Sequence, residues 1–414
     1  MTDLAWIDAS LIAARPRAIG ALVRYFRDLD TAEEAFQNAS LKALEAWPKH
    51  GPPRDPAAWL IFVGRNVALD AARRAQKQTE LPATLVADED PDAVAAQLDH
   101  QREDADYRDD VLRLLFICCH PELPPSQQLA LALRIISGLT VKQIARAFLV
   151  GEAAMEQRIT RAKARIAGAD VPYEAPTAAE RATRIGVVAA TIYLVFNEGY
   201  STSSEQAARA ELCDEAIRLS RLLLRMFQDE PELMGLSALL MLQHARTPAR
   251  FDEAGEIILL EDQDRTRWDA HLIAEGLALL DKAMRHRRPG PYQIQAAIAA
   301  LHARAIHQED TDWAQIDLLY ASLERLDPSP VVTLNRAVAV AKVRGAAEAL
   351  AMIAPLERQL AGYFHFHGLR GALLLELGKK SEARTAFDRA IALARSPAEA
   401  AHIRLHLDRL QQKR

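Results

Sequence analysis

The sequence is poor in cysteine: its 414 residues hold three, Cys118, Cys119 and Cys213. The adjacent pair lacks the C-x-x-C spacing with which two thiolates turn toward one metal. Neither a zinc module nor a disulfide framework is expected, and all three read as buried free thiols. Glycine is scarce at 17, and no sustained alternating run of Val, Ile and Thr occurs, which argues against a sheet-based fold. There is no P-loop, dinucleotide fingerprint or nucleophile elbow, so the chain reads as neither an enzyme nor a cofactor binder. His271 and Glu275 lie one helical turn apart, but no third ligand stands at compatible spacing, so no metal site is expected there. His365 and His367 alternate and read as structural. Charges or prolines break every apolar run before membrane-spanning length. The opening "MTDLAWIDAS" also lacks a cationic start followed by an apolar block, so a cytoplasmic location without a membrane partner is expected. Positive charge is not in excess either: the formal net charge is -5, and the chain as a whole is not drawn to a polyanion.

What is abundant is alanine, leucine, arginine and glutamate at helical periodicity, so the expected fold class is all-α. The length suits two or three domains. Two segments break the periodicity. "TELPATLVADEDPDAVAAQLDHQREDADYRDD" is acidic and reads as a linker over 79–110, and "GADVPYEAPTAAE" is short and proline-bearing and reads as a second linker over 168–180. They leave helical blocks at 1–78, 111–167 and 181–414. In the last block Gly371, Ala383, Phe387 and Ala390 hold the small-small-large-small spacing of paired tetratricopeptide helices. A step back of about 34 residues, the length of such a unit, lands on Ala337, Ala349, Ile353 and Leu356. A further step reaches Ala303 and Leu319, where Gln315 and Ser322 fit less well. The alternative is a generic helical array with coincidental alanines.

Two motifs carry chemistry. In "FVGRNVALDAARRAQKQTE", Leu60, Val63 and Val67 recur on one helical face with Leu60 just ahead of the stretch. Asn66, Asp70, Arg73, Arg74 and Lys77 share a neighbouring face that grows cationic toward the helix end. That face is either a solvated helix end suited to the helix dipole or a phosphate-binding surface. "LTVKQIARAFLVGEAAMEQRITRAKARI" reads as a short helix, a tight turn near Val150 and Gly151, and a longer helix from about Glu152. There Met155, Ile159, Ala162 and Ile166 form a buried stripe, and Gln157, Thr160, Arg161 and Ala164 point away from it. Arg158 and Arg165 flank one side, Glu156 and Lys163 the other. Base-edge hydrogen bonders bordered by cations are what a major-groove reader needs.

The two blocks together resemble the extracytoplasmic-function group of bacterial RNA polymerase sigma factors. Region 2 is matched by "AEEAFQNASLKALEAW", the loop "PKHGPPRDP" and the W-L … R-N-x-x-x-D-x-x-R spacing of Trp59, Leu60, Arg65, Asn66, Asp70 and Arg73. Region 4 is matched by the helix-turn-helix stretch and its R-I-x-R-A-K ending. The long C-terminal half resembles the tetratricopeptide-like extension of one subgroup, in which "YLVFNEGYSTSSE" is also typical. The resemblance implies a subunit that docks on core RNA polymerase, directs it to a promoter and helps open the DNA. By it, the helix matching Ala32 to Trp47 binds the polymerase, with Glu33, Glu34, Gln37 and Asn38 as contact candidates. The loop Pro48 to Asp55 and the next helix read the −10 element, with Asn66 on the single strand and Arg54, Arg65, Arg73, Arg74 and Lys77 serving the DNA. Trp59 is a stacking candidate but reads as core from its apolar run. Glu156, Gln157, Arg158, Thr160, Arg161, Lys163 and Arg165 serve the −35 element. The turn departs from the family pattern at Leu149 and Gly151.

Asn197, Glu198 and Tyr200 read as a contact positioning the extension against the sigma domains, next to a capping box at Thr202 and Glu205. The repeat surface would take a protein, peptide or small ligand. Two other functions are weighed. A helix-turn-helix regulator with a ligand-sensing helical domain would leave the N-terminal block without a task, and a repeat-built enzyme or scaffold would lack a catalytic constellation.

Overall fold

The computed structural model describes residues 5–51, 53–77, 104–148, 150–168, 178–200, 206–252, 258–394 and 403. The described residues form helices and no sheet. They fall into two compact units, 1–195 and 196–414.

In the first unit α1 (Ala5–Phe26), α2 (Leu29–His50) and α3 (Pro56–Lys77) pack on one another as a three-helix bundle. Local chemistry sets their ends. Asp28 caps α2 by accepting from the Thr31 amide at 2.7 Å, and Asp55 accepts from the Ala57 and Ala58 amides where α3 starts. α2 runs through Pro48, where a loop was expected, and closes at Gly51. With φ +81°, Gly51 donates its amide to the Trp47 carbonyl. The core is aromatic: Trp47 is fully buried and meets Trp59 edge-on at 5.5 Å. Leu60 and Val63 face this core as their spacing predicts, and Val67 is half-buried.

A fourth helix, α4 (Asp104–Cys118), packs on α1 and begins inside the stretch expected to be linker. Its acidic composition misleads because Asp110 is fully buried between Arg113 at 2.8 Å and Arg24 at 3.3 Å, so the charge is compensated. After it come α5 (Pro125–Ile135), α6 (Val141–Ala147) and α7 (Glu152–Gly168), with α7 packed on both α5 and α6. Thr140 and Gln143 form a reciprocal capping box at the start of α6. Met155, Ile159, Ala162 and Ile166 are the buried residues of α7, the expected stripe. Leu149 lies outside the described residues. α8 (Ala178–Tyr200) starts within the second expected linker, and the division between the units falls inside it, after Val195.

The second unit continues with α9 (Gln206–Met226), α10 (Pro231–His244), α11 (Ala270–Arg285), α12 (Pro291–Arg304) and α13 (Trp313–Leu326). It ends with α14 (Pro330–Arg344), α15 (Ala346–Ile353), α16 (Phe364–Glu376) and α17 (Lys380–Leu393). α10 is apolar all round and packs against α9, α11 and α12. Farther along, α13 packs on α14 and α16 on α17. Ala383, Phe387 and Ala390 are fully buried, and Gly371 lies so close under the Phe387 ring that a Cβ would stand 2.5 Å from it. Ala337, Ala349 and Ile353 are likewise fully buried and share one cluster, with Leu356 packed against it. Ala303 and Leu319 are half-buried.

Candidate nucleic-acid and polymerase interface

α2 buries Ala32, Ala35, Phe36, Ala39 and Ala43 in the bundle, which leaves its opposite side for partners. Glu34 and Gln37 are exposed there and Asn38 is half-buried. Glu33 is not available as expected: it is 5% exposed, because the second helical block covers it. Its carboxylate faces three cations from three different helices. Lys163 Nζ of α7 donates to Oε2 at 2.9 Å, Arg134 Nη2 of α5 lies 2.9 Å from Oε1, and Arg15 Nη2 of α1 lies 3.6 Å from Oε1. Lys163 also donates to Asp30 Oδ1 at 2.5 Å. Arg15 in turn donates to the Ile135 and Arg134 carbonyls at the end of α5 and lies over the Phe36 ring. Gly138, at φ +77°, leaves room for it: a Cβ there would stand 2.9 Å from Arg15 Cδ.

Electrostatics follow from this packing. Burial pulls the Arg15 pKa down to about 10, against the attraction of Glu33 and with the repulsion of Arg134. Burial also opposes the charge of Lys163, but the hydrogen bonds to Asp30 and Glu33 outweigh it and raise its pKa. Lys163 is therefore a fully charged lysine already engaged by carboxylates, rather than one waiting for phosphate.

The sequence spacing missed two residues. Leu41 and Leu44 are 61% and 42% exposed and continue the line of Glu34 and Gln37 at i, i+3, i+7 and i+10. The signal was present as two leucines off the alanine-lined face, where a lone helix end would carry polar groups.

On α3, Arg65 is exposed with its guanidinium 4.3 Å over the Tyr25 ring, Asn66 is half-buried, and Arg54 is exposed just ahead of the helix. Trp59 is 6% exposed and serves the core. Arg73, Arg74 and Lys77 lie on the last turns of α3, and their side chains fall outside the described residues. On α7, Glu156, Gln157, Thr160, Arg161 and Arg165 are exposed, Arg158 is half-buried, and Lys163 is held as above.

The second unit holds Tyr200 differently from the expectation. Its ring stacks on Phe196 at 5.3 Å, its hydroxyl donates to Gln243 Oε1, and Arg250 lies 3.6 Å over the ring while donating to the Tyr200 carbonyl. These partners all belong to the second unit, so Tyr200 anchors the end of α8 there. Asn197 and Glu198 are half-buried on the same turn, and Thr202 and Glu205 lie outside the described residues. Glu275 is engaged by Arg221 rather than by His271, and His367 bonds the Ala361 carbonyl in a structural role.

Comparison with known proteins bears on these elements directly. Residues 11–78 match the family described as Sigma-70 region 2, and residues 113–166 match Sigma-70, region 4. The chain carries sigma-70 regions 2 and 4. They cover α1 to α3 and the end of α4 through α7, and together they support a sigma factor that binds RNA polymerase and promoter DNA. Residues 184–284 match a family of unknown function, DUF6596, whose description names no repeat type. An uncharacterized protein of Rhizobium meliloti (strain 1021) is 64% identical over 411 residues, spanning 99% of this chain and 97% of that protein, and the two belong to one family. No solved structure matches. Among the described residues, no helix of this sigma factor is long and apolar enough to cross a membrane.

Proposed function

We propose that this sigma factor is of the extracytoplasmic-function type, acts in the cytoplasm, and is controlled by its own C-terminal helical region. Core polymerase docks on α2 through Glu34, Gln37, Asn38, Leu41 and Leu44. Arg54, Arg65 and Asn66, with Arg73, Arg74 and Lys77 on the last turns of α3, serve the −10 element. α7 enters the major groove of the −35 element with Gln157, Thr160 and Arg161 toward base edges, and Glu156, Arg158, Lys163 and Arg165 beside them. The observation that carries the reading is the division of α7: four apolar residues hold it to α5 and α6, and its opposite face offers hydrogen bonders and cations to solvent.

The C-terminal region is read as tetratricopeptide-like. Its support is the recurrence of Ala383, Phe387 and Ala390 as Ala349, Ile353 and Leu356 at the repeat length of about 34 residues, buried or packed against the core each time. Such an array offers a surface to a protein, peptide or small ligand. Asn197, Glu198 and Tyr200 stand at the junction, where the end of α8 enters the second unit.

The test is multi-round transcription with purified core polymerase on a genomic fragment library, comparing the full chain with one ending at Val195. Factor-dependent start sites support the sigma reading, and the shortened chain gives the sign of control by the extension. Absence of core binding and of transcripts with either chain, alongside duplex binding by the full chain, would replace the reading with a polymerase-independent regulator.

A further inference from the structure

We propose that the second unit binds a phosphate group, as the free ion or as part of a small phosphate ester, at Arg246 and Arg265 beside Trp268 and His302. The site follows from geometry within that unit, and only its meaning as a control on transcription rests on the sigma-factor reading.

Three segments bring the four residues together. Arg246 follows α10, Arg265 opens a short 3-10 turn ahead of Trp268, and His302 lies on the last turn of α12. The Asp269 amide donates to the Ala245 carbonyl at 2.9 Å and so pins the Trp268 loop to the end of α10. Both guanidinium groups then approach one indole. Arg246 Cζ lies 5.6 Å and Arg265 Cζ 5.1 Å from the centre of the Trp268 ring. The two charges repel each other there, and the local field is positive. Burial lowers the Arg265 pKa first and Arg246 lowers it further, with Asp310 and Glu309 opposing more weakly. Burial, then Arg246 and Arg265, likewise hold His302 at about 4.

What these cations hold is neutral. Arg246 donates to the side-chain oxygens of Gln263 and Gln243, and Arg265 to the His302 and Ala305 carbonyls at 2.6 and 2.7 Å. The carboxylates nearest in sequence are committed elsewhere. Asp264 accepts from the Thr266 amide and hydroxyl, and Asp269 accepts from the His271 and Leu272 amides at the start of α11. Elsewhere in the unit arginines meet acids directly, as Arg336 and Arg344 both meet Asp317. Two buried polar atoms of the cluster also lack a partner, Trp268 Nε1 and His302 Nδ1, and Trp268 is only 6% exposed. Donors therefore exceed acceptors at a half-buried cationic cluster, and an anion supplies the missing acceptors. Among the described residues Arg246 Nη2 and Arg265 Nε donate to nothing. Free donors on two separate side chains suit the tetrahedral oxygens of phosphate, whereas the coplanar pair of a carboxylate is satisfied by one fork.

The experiment is calorimetric titration of the full chain with potassium phosphate, at ionic strength held constant with potassium chloride. One saturable site is expected, with a Kd below about 1 mM. Arg246→Gln is expected to weaken it at least tenfold, while Arg267→Gln, which removes an exposed neighbouring cation, leaves it within twofold. Should Arg246→Gln fail to fold, Arg246→Lys keeps the charge, loses the fork and is expected to weaken binding at least threefold. Bound phosphate is also expected to raise the His302 pKa by at least about one unit, read from imidazole nitrogen shifts. Adenosine monophosphate that binds more tightly than phosphate identifies an ester as the ligand, and phosphate binding alone identifies the free ion. Absence of saturable binding overturns the site. So does equal weakening by Arg267→Gln, and acetate binding as tightly as phosphate overturns the ligand class. Core-dependent transcription by a chain that binds no phosphate defeats the site and leaves the sigma reading standing. Phosphate binding by a chain that core ignores keeps the site and defeats the sigma reading.

Discussion

Truncating Leu41 and Leu44 together to alanine should weaken binding to core polymerase without affecting the fold. The magnitude follows from their exposure. Fully burying a leucine side chain is worth about 1.5–3 kcal/mol, and 61% of Leu41 and 42% of Leu44 remain to be covered by a partner. Docking that removes this surface from water gains about 1–2 kcal/mol from Leu41 and about 1 kcal/mol from Leu44. The double variant should therefore lose about 2–3 kcal/mol, a rise of about 30- to 150-fold in Kd. Because both side chains already face solvent, unfolding free energy should move by less than about 0.5 kcal/mol. The assay is titration of labelled full-length chain with core polymerase, read by fluorescence anisotropy, beside urea unfolding of the same samples. Leu318→Ala is the control, since Leu318 is 68% exposed but lies in the second unit. A double variant that binds core within twofold of wild type refutes the docking face; equal weakening by Leu318→Ala refutes its location.

Further outcomes are open to measurement. Arg161→Ala should cost about 1–3 kcal/mol of binding to one promoter position, and Arg165→Ala should weaken all sequences alike and reduce the salt slope of binding by about 0.9; competition assays across a salt series separate them. Phe387→Ala, which empties the fully buried space above Gly371, should destabilise the second unit by about 3–5 kcal/mol in urea. His302 is depressed to about 4, first by burial and then by Arg246 and Arg265. Its unfolded form binds a proton near pH 6.5 while the folded form stays neutral, so this stability is present above pH 6.5 and is lost as pH falls through 4. The loss is about 3 kcal/mol, and His302→Gln should remove that part of the acid sensitivity measured by chemical unfolding between pH 7 and 4. Burial pushes the Cys119 and Cys213 thiols up to about 12 and raises Cys118 as well, so a thiol reagent at pH 8 should label the native chain far more slowly than the unfolded one.

The helical architecture was legible because burial on a helix is a local property. Met155, Ile159, Ala162 and Ile166 sit at helical spacing and are the buried residues of α7. Gly371 beneath Phe387 was equally visible, since a small residue opposite a large one across a short connection leaves a pattern within one pair of helices. Boundaries were less legible where composition and structure part company. Asp110 belongs to an acidic run that reads as linker, yet Arg24, more than eighty residues earlier, neutralises it inside a helix contact. Pro48 reads as a helix end, but its missing amide falls in the last turn of α2, where the helix gives up one hydrogen bond and continues to Gly51.

The site was half legible for the same physical reason. Which side of α2 faces away from its own bundle can be read from Ala32, Ala35, Phe36 and Ala39. Whether solvent or another element lies there depends on residues far along the chain. Glu33 and Glu34 are adjacent carboxylates with similar intrinsic preferences for water, yet one is 5% exposed and the other belongs to the exposed surface. The difference is made by Arg134 and Lys163, about 100 and 130 positions downstream, whose charges lower the cost of burying Glu33. Glu34, one position on, is exposed. A carboxylate with three cations around it is stable in a closed interior, whereas an unburied carboxylate keeps its water. Burial thus divides one acidic dipeptide into a residue that holds the first unit together and a residue left exposed on α2.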